Sequence, residues 1–179
     1  MTLFRDPLDF DAFLHILERT FRQFGWRCYA FSLMPNHYHL LIETPEPNRG
    51  KGMRHLNGSY AQRFNTRYDG SGHVFQGPYL AVPLERESHL LEVCRYIVLN
   101  PVRAGICRRP GDWPWSSYRP TAGLAPPTGL VSAGDVLALF HSDDGRAKAA
   151  YRAFVAAGMS VAAASPDRVP GARRPQRGA

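Results

Sequence analysis

Apolar residues near the start of the chain recur with the spacing of an amphipathic helix. They occupy positions 10, 13, 14, 17, 21 and 24, which fall on one face of a helix. Gly25 follows directly, and a glycine in this place is typical of a helix end. The pattern therefore predicts a helix over Asp9–Phe24.

The next two apolar stretches predict a hairpin of two strands. Trp26–Leu33 is rich in aromatic residues, and His37–Thr44 follows it after the turn sequence Met34–Asn36. Pro45 closes the second arm, because proline has no amide hydrogen to donate to a neighbouring strand.

Helical spacing returns after the hairpin. An apolar stripe predicts a helix over Lys51–Tyr68, and its members are Met53, Leu56, Tyr60 and Phe64. Tyr79–Leu84 has the composition of a third strand, which Pro83 would end.

A strongly helical pattern covers Glu87–Leu99. Pro101 predicts either a break or a new helix start after Asn100, because its ring clashes with the preceding helical turn.

The rest of the chain divides by composition. Residues 120–131 are rich in proline and glycine and predict a linker between a domain of residues 1–119 and a helical extension over residues 132–158. Alanine, proline and arginine dominate residues 159–179, which predicts a disordered basic tail. The order helix, strand, strand, helix, strand, helix predicts an α+β domain whose antiparallel sheet is covered by helices on one face.

The composition is that of one globular domain. The chain has 179 residues, of which 44% are hydrophobic. No apolar run approaches the roughly 18 residues that span a bilayer, and MTLFRDPLDF has no apolar core of a signal peptide. The chain has three widely spaced cysteines, Cys28, Cys94 and Cys107. Their odd number and spacing indicate reduced thiols in a cytoplasmic protein.

The formal net charge of +7 favours a polyanionic partner, with nucleic acid ahead of a membrane surface. Four arginines and one aspartate in the last 20 residues contribute +3 of this charge, which leaves +4 for residues 1–159. The body of the protein is therefore only mildly basic, and the charge alone is a weak indication.

Two histidines on the second predicted strand are the first candidate for chemistry. His37 and His39 are two residues apart, so they point to the same face of a strand. They are either part of a metal site or two polar residues on a wet sheet surface, and this spacing alone favours the second interpretation.

A second candidate for chemistry lies on the helix predicted over Glu87–Leu99 and just beyond its end. Tyr96 and Asn100 are four residues apart and share a helix face, which Arg103 extends if the helix continues past Pro101. These side chains could supply a nucleophile, a metal ligand and a phosphate contact. Alternatively, Tyr96 belongs to the core and Asn100 caps a helix that begins at Pro101.

Four motifs in order resemble a known family: MPNHYHLLIETP, SGHVFQGPY, RYIVLNPVRAGI and DWPWSSYRP. They resemble the insertion-sequence-200-like transposases, and among these the REP-associated tyrosine transposases of the HUH nuclease superfamily. The resemblance implies a ferredoxin-like antiparallel sheet and a single-strand DNA endonuclease that cleaves and rejoins hairpin-containing DNA through a 5′-phosphotyrosine. It implies Tyr96 as the nucleophile and His37, His39 and Asn100 as ligands of Mg²⁺ or Mn²⁺.

The resemblance also implies single-stranded or hairpin DNA as the partner. It favours a monomer over a dimer as the oligomeric state. The candidate DNA contacts are basic, polar and aromatic residues: Arg54, Arg63, Asn65, Arg67, His73, Gln76, Tyr79 and Arg103. For each of these residues, a solvated helix face or ordinary packing is the competing interpretation.

The sequence departs from the family pattern in two places. The family opens with a further strand before the first helix, whereas this sequence starts at MTLFRDP, which leads us to expect a sheet without its first strand, from a misassigned start or a decayed copy. The usual glycine-arginine-tyrosine-lysine segment is Gly77-Pro78-Tyr79-Leu80 here, so two positive charges are missing. These departures keep a second hypothesis open, a module that binds hairpin DNA without cutting it.

Overall fold

A computed structural model describes residues 2–77, 79–84 and 89–162 of the chain. In chain order the elements are α1 (Pro7–Phe24), β1 (Arg27–Met34), β2 (His37–Glu43), α2 (Arg49–Arg67), α3 (Leu90–Arg103), a 3₁₀ turn (Pro110–Asp112), α4 (Tyr118–Thr121), α5 (Ala133–Ala138) and α6 (Asp144–Ala162). The chain therefore has an α+β fold. In the described part, no helix is long and apolar enough to cross a membrane.

The first helix has clear signals at both ends. The Asp6 side chain accepts hydrogen bonds from the backbone amides of Leu8 and Asp9, and Pro7 occupies the first turn, where its missing amide hydrogen costs nothing. Gly25 ends the helix with φ of 66°, a left-handed conformation that glycine adopts without strain. The predicted helix is confirmed.

The predicted hairpin is also confirmed. Strands β1 and β2 pair antiparallel, with His39 opposite Ser32 and His37 opposite Met34. They form the two-stranded sheet of the described residues. The outer edge of β1 is covered, because the backbone amide of Leu33 donates to the carbonyl of Trp115 and that of Ser117 donates to Phe31.

The prediction of a third strand at Tyr79–Leu84 is wrong. These residues have no regular secondary structure, and their side chains face solvent, with Leu80 78% exposed and Val82 39% exposed. An apolar run becomes a strand only when it finds a partner and a surface to bury against, and Pro83 removes one amide donor.

The predicted break at Pro101 is also wrong, because α3 continues through Pro101 to Arg103. Proline lies here in the last turn, where few backbone bonds remain to be lost. Val98 and Leu99 are fully buried and anchor this turn in the core. The predicted start at Glu87 lies outside the described residues, and the described helix begins at Leu90.

Helices cover both faces of the hairpin, which corrects the expectation of helices on one face. Tyr38 points toward α1, where its ring lies 4.8 Å from the Phe13 ring, and α2 adds Met53 and Leu56 to that core. The opposite face carries Ala30, which packs with α3 and with side chains of α5 and α6. The backbone amide of Ser132 donates to the carbonyl of Cys28 and ties the segment before α5 to β1. The tail predicted over residues 159–179 begins too early, because α6 continues to Ala162, and its remainder from residue 163 onward lies outside the described residues.

Candidate functional site

His37 and His39 converge on the face of β2 that looks toward α3. The two Nε2 atoms lie 3.1 Å apart, and the rings meet edge to face. Nδ1 of His37 lies 2.7 Å from Oδ1 of Asn36. Because an amide oxygen only accepts, Nδ1 of His37 carries the proton and its Nε2 holds a lone pair.

Both histidines are held in their neutral form. Burial, together with the nearby His37, lowers the pKa of His39 to about 4. Burial also lowers the pKa of His37 from its usual value. Near neutral pH both imidazoles are therefore uncharged, which is the protonation state of a metal ligand.

Tyr96 reaches this pair from α3. Its ring lies edge to face with the His39 ring, with centroids 6.1 Å apart. The residue is 7% exposed and lines the same cavity as the histidines. Tyr96 is thus buried, as expected for a tyrosine of the core. It also lies beside the histidine pair, as expected for a nucleophile that acts with them.

Asn100 lies one turn further along α3 and is 9% exposed. Its Nδ2 donates to the carbonyl oxygen of Tyr96 over 3.0 Å, which leaves Oδ1 as the free acceptor of the amide. The alternative role, a cap for a helix starting at Pro101, does not apply because α3 is continuous there. Among the described residues Asn100 makes no hydrogen bond to either histidine.

The donors fit a divalent cation. With metal–nitrogen bonds of about 2.0–2.1 Å, two adjacent ligand nitrogens stand roughly 3.0–3.4 Å apart, and the Nε2 atoms of His37 and His39 have that separation. The neutral state of both rings and the free amide oxygen of Asn100 agree with nitrogen and oxygen ligation. Histidine, cysteine and carboxylate side chains of the described residues form no group of three that could hold a metal, so a third protein ligand would have to be of another type.

A cavity of about 540 Å³ opens beside the two histidines and Tyr96. Its walls are β2, the start of α2 and the segment 79–84. The lining is mixed, with Leu41 and Ile97 next to the polar side chains of Arg49 and Asn57. A chain of nucleotides has the same mixture of apolar base faces and charged phosphates.

The residues predicted to contact DNA separate into two groups. Arg54, Arg63 and His73 are exposed, and Gln76 and Tyr79 line the cavity beside the histidines. These five side chains are placed where a ligand in solution can reach them.

The other predicted contacts already have protein partners or pack on another side chain. Arg67 donates to Asp6 and to the buried Asp9, and Nδ2 of Asn65 donates to the carbonyl of Gly72. Arg103 lies over the ring of Tyr96, with its Cζ 4.6 Å from the ring centroid.

Two site residues were not singled out from the sequence. Asn36 accepts from His37, and Asn57 accepts from the hydroxyl of Tyr38 over 2.6 Å. The signal for Asn36 was its place in the turn directly before the first histidine. Asn57 had no local signal, since it reaches the hairpin only through the packing of α2.

A family model described as Transposase IS200 like matches residues 2–100 of the chain. The match spans more than half of the chain and includes the two histidines, Tyr96 and Asn100. No curated protein matches the chain, and no solved structure matches it.

Proposed function

The chain belongs to the family of insertion-sequence-200-like transposases, and from this premise we propose that it cleaves and rejoins single-stranded DNA through Tyr96. The observation that carries the proposal is the approach of α3 to β2. It places the Tyr96 ring beside a neutral histidine pair, with 6.1 Å between the ring centroids of Tyr96 and His39. The proposed nucleophile and two proposed ligands of a phosphate-activating cation thus line one cavity.

In the proposed reaction the hydroxyl oxygen of Tyr96 bonds to a phosphorus of the DNA backbone. The bond from that phosphorus to the 3′ oxygen of the preceding nucleotide breaks. The tyrosine proton is lost, and the leaving oxygen takes up a proton, which gives a free 3′-hydroxyl and a 5′-phosphotyrosine. One phosphodiester replaces another, so the reverse attack by a 3′-hydroxyl rejoins the strand without ATP.

We propose His37, His39 and Asn100 as the residues that hold Mg²⁺ or Mn²⁺. The cation supplies a Lewis acid for a phosphate oxygen when it is bound. Asn36 fixes the tautomer of His37 and so presents its Nε2 lone pair toward the site. The hydrogen bond from Asn100 to the Tyr96 carbonyl orients the amide with its oxygen free.

As substrate we propose a single strand that carries a hairpin, as in the REP-associated group, on an HUH-type fold. The exposed Arg54 and Arg63 on α2 are suited to bind phosphates. Gln76 and Tyr79 at the cavity are suited to contact bases near the cleaved bond. Since Arg67 is already ion-paired with Asp6 and Asp9, it is the weakest of the proposed DNA contacts.

The test uses a hairpin-containing strand labelled at its 3′ end and Mn²⁺. The labelled fragment should migrate with the protein on a denaturing gel, whereas a 5′-labelled strand should only be shortened. Tyr96→Phe should abolish the adduct because it removes only the attacking oxygen. Tyr29→Phe is the matched control, since the Tyr29 hydroxyl donates to Glu43 on the strand pair and should leave the adduct unchanged.

Three outcomes would count against the proposal. An adduct with Tyr96→Phe would remove Tyr96 as the nucleophile. Equal adduct formation on fully paired duplex DNA would remove the single-strand requirement. Binding of hairpin and Mn²⁺ by the parent chain without any adduct would favour a hairpin-binding module that does not cut.

A further inference from the structure

The guanidinium of Arg103 lacks the partners that buried donors normally have. Its Nε and Nη1 atoms are buried, and within the described residues neither makes a hydrogen bond. A buried polar group without a partner costs free energy, and a charged one costs more. An acceptor bound at these donors, an anion or an ordered water, would remove that cost.

The surroundings of Arg103 indicate where that anion would lie. Its Cζ stands 4.6 Å from the centroid of the Tyr96 ring, and the two residues are seven apart, which is two turns of α3 on one face. The ring holds the guanidinium plane in place, so its donors are oriented before a ligand arrives.

Arg95 on the same helix provides a comparison within the molecule. Its Cζ also lies over an aromatic ring, 4.3 Å from the centroid of Phe154. However, Arg95 forms an ion pair with Glu92 and donates to the carbonyl of Phe154. Stacking on a ring therefore does not by itself leave an arginine of α3 without hydrogen-bond acceptors.

We propose that Arg103 binds the phosphate that Tyr96 attacks and remains bound to this phosphate group in the phosphotyrosine intermediate. Nη2 would donate to its non-bridging oxygens together with either Nε or Nη1, because these two edges of a guanidinium present parallel N–H bonds to a phosphate. This inference rests on the proposed function for the identity of the phosphate. The unpartnered donors themselves point only to an oxyanion.

The competing explanation is that Arg103 only supports the Tyr96 ring. A lysine at this position keeps a positive charge near the ring but has no planar pair of donors. Arg103→Lys should therefore restore a supporting role, whereas it should not restore the binding of a phosphate by two donors.

The first arm of the test measures binding of inorganic phosphate alone, without DNA or added metal, by ³¹P line broadening. The parent chain and Arg95→Ala should show saturable binding, which Arg103→Ala and Arg103→Lys should lose. Unfolding midpoints measured in parallel show whether each variant is folded. Retention of phosphate binding by folded Arg103→Lys, or absence of binding in the parent, would overturn the proposal.

The second arm measures the rate of adduct formation with the 3′-labelled hairpin strand. Arg103→Ala should reduce this rate roughly 100-fold, the usual effect of removing one donor to transition-state charge, and added ethylguanidine should recover part of it. Tyr96→Phe should not respond to ethylguanidine. A full rate in Arg103→Lys would overturn the proposal and leave the supporting role.

The two arms separate this inference from the proposed function. If the parent binds phosphate through Arg103 but never forms an adduct, the oxyanion site stands and the cleavage reaction is wrong. If the adduct forms through Tyr96 at the parent rate in Arg103→Ala, the cleavage reaction stands and the role of Arg103 is wrong.

Discussion

The ring of His39 on β2 meets the ring of Tyr96 on α3 edge to face, with 6.1 Å between their centroids. This contact joins two motifs that are far apart in the sequence. It exists because α3 packs on the face of the hairpin to which His37 and His39 point. A reaction that needs both the histidines and the tyrosine therefore depends on the packing of α3 against the sheet.

The metal site is tested by removing its ligands one at a time. His37→Ala and His39→Ala should each lower the affinity for Mn²⁺ by more than about 100-fold. Replacing a residue that only hydrogen-bonds to a metal ligand typically costs about 10- to 100-fold, and losing the ligand itself should cost more. Asn100→Ala should lower it less, because a neutral amide is the weaker ligand. Titration calorimetry with Mn²⁺ measures the three affinities.

His15→Ala is the control for these variants, since His15 is on α1 and its ring forms a hydrogen bond with the carbonyl of Asp11. Equal Mn²⁺ affinity of parent and His37→Ala/His39→Ala double variant would remove the histidines from the site.

Arg67 and Arg63 should differ in what they affect, although both lie on α2. Arg67→Met should lower the free energy of unfolding, because the buried Asp9 carboxylate loses its cation. Arg63→Met removes an exposed charge and should leave stability within about 0.5 kcal/mol. Urea denaturation measures both. Equal stability of the two variants would show that the ion pair contributes nothing.

The same ion pair gives a pH dependence. The hydrogen bond from Arg67 holds the pKa of the Asp6 carboxyl below its usual 3.8. The unfolded chain therefore takes up a proton at a higher pH than the folded chain does, so the stability from Asp6 is present above about pH 3.8 and is lost as the pH falls through the lower, folded pKa. Comparing urea midpoints of the parent and Asp6→Asn between pH 6 and pH 2 tests this. The difference between them should shrink toward acid pH, and a constant difference would contradict the assignment.

Two glycines of α2 provide a matched pair for packing. A Cβ at Gly52 would overlap the indole ring of Trp26, whereas a Cβ at Gly58 would meet nothing within 4 Å. Gly52→Ala should therefore destabilise the protein by about 2 kcal/mol despite the better helix propensity of alanine. Gly58→Ala should stabilise it by about 0.5–1 kcal/mol. Thermal unfolding of both variants checks the signs, and a stabilising Gly52→Ala would show that Trp26 can move aside.

Much of the fold could be predicted from local pattern. The helical spacing before Gly25, the hairpin around Met34–Asn36 and the buried stripe of α2 all agree with the structure. These features depend on side-chain period and on turn residues, which are local properties of the chain. Residue type and spacing also made the paired histidines and the tyrosine with its asparagine candidates for chemistry, but their proposed roles came from the resemblance to the transposase family.

Other features depended on contacts between distant segments. Tyr79–Leu84 had the composition of a strand but pairs with no strand among the described residues, and Pro101 was tolerated because α3 is anchored in the core around it. Arg67 resembled a free cation of an exposed face, yet Asp6 and Asp9 from another helix bind it.

The sequence alone thus determined which residues are candidates for chemistry and which local elements hold them. The tertiary structure decided how they meet. It places α3 on the histidine face, Asn36 beside His37, and the Arg103 guanidinium above Tyr96 with two donors that have no partner in the described part of the chain. The physical reason is that period and turn propensity act over a few residues. Burial, ion pairing and the satisfaction of buried donors are settled only when distant elements pack together.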